Sequence, residues 1–174
     1  MSDALFSQHP VDRLIREIIA TRRSVQAAEI DQIVDRIASA PFDPQLGVGV
    51  LTEHRGLTYL GQTLGSRASS LTYHLVKRVV VEEQWAYGTS PEEYIADLRE
   101  ASRASDARIV VFERRGGSMA AIIAENRILP GRLGPEALPW VLVVFSADRG
   151  TIVSGYQVSS NPPSNIPEDG LWLR

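Results

Sequence analysis

His74, Lys77 and Arg78 stand within five residues of one another, in the stretch Ser70-Leu-Thr-Tyr-His-Leu-Val-Lys-Arg-Val-Val-Val-Glu-Glu-Gln-Trp85. An imidazole with a pKa of about 6.5 gives or takes protons near neutrality. Arginine holds a phosphate by a two-pronged contact, lysine as a compact point charge. A histidine beside fixed cations is thus an acid–base group next to an anion seat. The plain alternative is a partly exposed helix face whose histidine packs or caps. Lys77 is the only lysine of the chain; arginine supplies the other 17 of the 18 basic residues.

The element carrying these groups reads as a helix. At roughly 100° per residue, Leu71, Leu75, Val76, Val79 and Val80 cover one apolar arc, and Ser70, His74, Lys77 and Arg78 gather opposite. Val81 interrupts the polar side. The β-branched run Val79-Val80-Val81 disfavours helix slightly, so a strand beginning near Val79 is the rival reading. Gly88 closes the element in either case.

Composition bounds the function. A chain of 174 residues, 44% hydrophobic and 22% charged, suits one globular domain with a helical appendage. The expected division is a helical segment over 1–44 and an α+β domain over 45–174, packed as one unit. Net charge is −3, which counts against a simple nucleic-acid-binding module while leaving room for a small basic site. Without cysteine, disulfides, thiolate metal sites and a cysteine nucleophile are excluded. Histidines at 9, 54 and 74 lack zinc-ligand spacing, so neither metal nor cofactor is expected. The N-terminus does not read as a signal peptide and no run reaches the roughly 18 apolar residues of a membrane span; a cytoplasmic location is expected.

Along the chain, residues 11–40 carry a helical stripe of Val11, Leu14, Ile15, Ile18, Ile19, Ile30, Ile33, Val34 and Ile37, with a break near Ser24. The stripe is either a packing surface or, over 11–37, a seat for a protein partner or a second copy. Pro41 and Pro44 stop it. Gly47-Val-Gly-Val-Leu51 lacks the spacing and lysine of a phosphate loop. Leu57–Leu60 reads as a short strand, with His54 and Arg55 in a turn before it. Ser90, Pro91 and Glu93 predict a capped helix start, which makes Glu92 and Glu93 structural. From Arg108 the period changes to two. Strands over 108–113, 118–124, 140–145 and 151–158, joined in pairs by tight turns, predict a four-stranded antiparallel meander. The tail from Ser159 reads as an irregular cover strip with Trp172 packing down. The fold class is α+β, helices first.

Helices followed by an antiparallel meander, with a histidine helix ahead of the sheet, resembles the small ribonuclease superfamily of barnase, certain colicin tRNases and bacterial mRNA interferases, above all its phage and polymorphic-toxin members. The hairpin Asp148-Arg-Gly-Thr-Ile-Val-Ser154-Gly-Tyr156 resembles the last hairpin of that group, and the likeness spans about residues 66–158. It implies metal-free RNA cleavage by 2′-OH attack, leaving a 2′,3′-cyclic phosphate and a 5′-OH. By position it implies His74 as acid or base and Lys77 or Arg78 neutralising the phosphorane. Ser154 and Tyr156, two apart on one strand, would bind the phosphate or stack a base, and Arg67 and Arg115 would touch the RNA backbone. Ser154 stands where the group more usually has threonine. The competing readings are a non-catalytic interaction module using the N-terminal helices, and a small-ligand pocket between sheet and helix.

Overall fold

The amphipathic N-terminal stretch folds as two helices, α1 (Pro10–Thr21) and α2 (Ala27–Ser39). Arg22, in left-handed conformation, makes the break between them. The computed structural model describes residues 6–44, 54–65 and 68–174; the Gly47–Leu51 loop reading lies outside them. A small hairpin follows, β1 (Thr58–Tyr59) with β2 (Gln62–Thr63). The central stretch is helical throughout: α3 (Ser70–Val76) runs into a π turn, Lys77–Val81. The valine run therefore does not open a strand. It sits in the wider turn, where the Glu82 N–H donates to the Lys77 carbonyl at 2.9 Å. Helix α4 (Pro91–Arg103) begins on the expected capping box of Ser90 and Glu93.

The sheet then forms as β3 (Arg108–Arg114), β4 (Gly117–Glu125), β5 (Trp140–Ser146) and β6 (Thr151–Val158). It has five strands rather than the four predicted, in the antiparallel order β6-β5-β4-β3-β7. The addition is β7 (Leu171–Trp172) on the outer side of β3. Two residues are too few to show an alternation, and Trp172 lies under the Arg108 guanidinium, 4.2 Å from its ring centroid.

Alternation along the strands divides the core. Ile109, Val111, Ile122, Val143 and Phe145 face the helices, with Ile15, Ile18, Ile33, Ile37, Tyr94 and Leu98. Val110, Phe112, Ala121, Ile123, Leu142 and Val144 face away, and Ile166 of the tail covers them. The predicted cover strip is thus present. Half of the N-terminal stripe is used inside the chain: Ile15, Ile18, Ile33 and Ile37 are fully buried in its own core, while Val11, Leu14, Ile19 and Ile30 are partly buried. Among the described residues no helix is long and apolar enough to cross a membrane.

A polar cluster fastens α1 and α2 to the sheet. Fully buried Asp12 takes two hydrogen bonds from Arg36, at 2.9 and 2.8 Å, and one from Ser7. Gly150, at φ +71°, packs against this cluster so closely that a Cβ would lie 2.8 Å from both Asp12 and Arg36. Asp148 joins the two hairpin turns, accepting from the Ser118 N–H at 3.0 Å. The aspartate and glycine of the hairpin motif therefore have structural work to do.

Candidate active site

The outer edge of β6 is where α3 meets the sheet. An unpaired edge presents a row of backbone donors and acceptors that must be satisfied or shielded. Gln84 and Gln157 answer part of this by reciprocal amide bonds of 2.8–3.0 Å between side chains and backbones. Arg78 answers the rest. It is almost wholly buried, and its Nε donates to the Gly155 carbonyl at 3.1 Å. One terminal nitrogen donates to Ser154 Oγ at 2.9 Å and lies 3.4 Å from His74 Nδ1; the other binds Glu82. The guanidinium also stands over the Tyr156 ring, 4.7 Å from its centroid.

A β-bulge shapes this edge. Phe145 pairs with Ile152 but Val144 with Ser154, so Val153 has no partner on β5. The extra residue turns Ser154 and Tyr156 to the sheet face opposite the helices, beside Val144 and Leu142. The freed Val153 backbone is what His74 hydrogen-bonds. Gly155 is required where it stands: a Cβ there would lie 2.3 Å from Leu98 Cδ1. Its carbonyl also accepts from the buried Tyr94 hydroxyl at 2.5 Å, and burial pushes that phenol up to about 12.

His74 is half-buried. Burial first, then the charges of Arg78 and Lys77, push its pKa down to about 3, against the opposing bond to Val153. At neutral pH it is an uncharged imidazole, a proton acceptor that the same burial and charges make a weak base. Tyr156 is half-buried, its pKa raised chiefly by burial, and its hydroxyl is met by the Asn165 side chain of the tail.

His74, Arg78, Ser154 and Tyr156 thus come together, 76 residues of chain closing between Arg78 and Ser154. Lys77 is half-buried, near enough for its charge to act on His74, and takes no part in that network. Arg115 does not join them. It sits exposed in the β3–β4 turn, at φ +51°. Arg67 lies outside the described residues. Arg78 is the residue whose expected duty changes most, because its donors are already taken by Glu82, Ser154 and Gly155.

One neighbour escaped the sequence reading. His54, in the turn before β1, lies 5.8 Å between ring centroids from Tyr73, and Tyr73 lies 5.2 Å from His74. Nothing local in the sequence joins positions 54 and 73, so the contact belongs to tertiary structure.

A separate cavity of about 330 Å³ opens between the second half of α4 and the ends of β4 and β5. Ala101, Ala104, Ile128 and Val141 line it, but so do Glu100, Arg103, Glu125 and Arg127. It is not the deep, largely apolar pocket that a small-ligand reading calls for. No family model, curated protein or solved structure matches the chain.

Proposed function

We propose that this protein is a metal-independent endoribonuclease of the toxin-like kind, with its chemistry at the β6 edge. The observation that carries the reading is the meeting of an uncharged His74 with Arg78, Ser154 and Tyr156, from the histidine helix and the final hairpin. Neutral His74 takes the 2′-OH proton, the 2′ oxygen attacks phosphorus, and the bond to the 5′ oxygen breaks as that oxygen gains a proton. The products are a 2′,3′-cyclic phosphate and a 5′-OH. Lys77 supplies the charge that offsets the phosphorane. Arg78 is a positioning residue: held by Glu82 and β6, it fixes the side of His74 from which the proton acceptor works. The interaction-module reading has less apolar surface to draw on, since Ile15, Ile18, Ile33 and Ile37 are spent in the core.

The test is cleavage of mixed RNA in EDTA by wild type, His74→Ala and Lys77→Ala. Products ending in cyclic phosphate, lost by folded His74→Ala and reduced by Lys77→Ala, are expected. Folded wild type that leaves both total RNA and tRNA intact overturns the proposal.

A further inference from the structure

An in-line displacement at phosphorus moves two protons, and the His74 network provides for one. An imidazole uncharged at neutral pH accepts the first. Of the other titratable groups of the network, Glu82 is held as the ion-pair partner of Arg78, and Tyr156 has its hydroxyl engaged by Asn165 on the far face of the sheet. The missing donor has to stand near His74, on the helix side of β6.

His54 stands there. The two ring steps of 5.8 and 5.2 Å through Tyr73 limit the separation of the imidazole centroids to 11.0 Å. The base and acid of an in-line reaction each sit one hydrogen bond of about 3 Å from an apical oxygen, so they stand no more than roughly 9 Å apart, a spacing the 11.0 Å limit admits. Tyr73 is 2% exposed while both histidines are half-exposed. Tyr73 is therefore covered, and the two imidazoles flank its buried ring nearer the surface. Lys77 is four residues on from Tyr73, and so one helical turn away. His54 is also anchored: the turn is closed by Leu57 N–H to the His54 carbonyl at 3.3 Å and Gly56 N–H to the Leu64 carbonyl at 2.7 Å. The adjoining hairpin is tied down by Tyr59, whose hydroxyl donates to the Thr89 carbonyl at 2.5 Å.

We infer that His54 is the second proton-transfer residue of this site, giving its proton to the departing 5′ oxygen while the 2′-OH yields its own to His74. The inference rests on the ribonuclease reading, and the experiment separates the two. The full chain is given an oligodeoxynucleotide holding a single ribonucleotide, and the same molecule with sulfur in place of the bridging 5′ oxygen. A thiolate leaves without a proton. Folded His54→Gln should cleave the oxygen substrate at least about 100-fold more slowly than wild type, but the sulfur substrate within about threefold of it. Equal loss on both substrates, or no loss, overturns the role of His54 and leaves the ribonuclease reading standing. A folded wild type inert on both overturns both. A second measurement needs no variant. The all-deoxy oligonucleotide, which cannot be cleaved, should move the ring resonances of His54 and His74 but not those of His9, which caps α1. An unmoved His54 signal overturns the inference.

Discussion

Acid should destabilise this protein through His74, by an amount that can be worked out. Its folded pKa is about 3, against 6.5 for the ordinary imidazole. A base whose folded pKa is lowered binds fewer protons folded than unfolded between those values, so stability falls as pH falls through that window. The slope approaches about 1.4 kcal/mol per pH unit. Between pH 7.5 and 4.5 the loss assigned to His74 is roughly 2–3 kcal/mol. Carboxylates held low by their partners, such as Glu93 and Asp106, lose stability towards acid as well, so the measurement must be a comparison. Urea unfolding of wild type and His74→Gln at both pH values isolates the histidine. Glutamine can still bond the Val153 backbone and accept from Arg78, but carries no titratable group. Wild type should lose roughly 2–3 kcal/mol more than the variant over this interval. Curves that stay parallel within about 0.5 kcal/mol would refute the claim that the fold holds His74 uncharged.

Two further predictions concern the same edge. Gly155→Ala places a Cβ against Leu98 and should cost about 1–3 kcal/mol in urea unfolding; the double variant with Leu98→Ala should lose less than the two single losses combined, because the clash goes with the leucine. Arg78→Met leaves Glu82 without its partner, Ser154 without its donor and Gly155 with one donor of two, and should cost about 3–5 kcal/mol. It should also raise the pKa of His74, seen in an NMR titration, since the Arg78 charge is the second largest cause of the depression.

What the sequence made legible was local. The α4 start followed from Ser90, Pro91 and Glu93, because a capping box is a contact between neighbours in the chain. The two hairpins followed from alternation and glycine turns, and the break between α1 and α2 from the loss of period near Ser24. The unread parts are long-range. Strand β7 exists because β3 offers an edge to Leu171 and Trp172. The bulge at Val153 depends on pairing with β5 and cannot be seen in β6 alone. Of the site residues, His74, Arg78, Ser154 and Tyr156 do meet. What they do on meeting was hidden, because the donors of Arg78 are claimed by a strand 76 residues away. His54 was overlooked for the same reason.

These contacts divide the candidate residues by how much a packing role can explain. Edge protection accounts for Arg78 fully: β6 needs donors, the buried guanidinium provides them, and Glu82 supplies the counter-charge. It accounts for Ser154 as an acceptor, and for Gly155 as the point where α4 comes too close for a side chain. It does not account for His74. A glutamine there would satisfy the same two partners without a group that loses stability in acid. An imidazole set among Arg78 and the chain's single lysine is a local conflict, and such conflicts are expected where function rather than folding selects the residue. His74 and Lys77 are thus the pair for which chemistry is the better explanation, and a folded Lys77→Ala that cleaves RNA as fast as wild type would remove half of that argument.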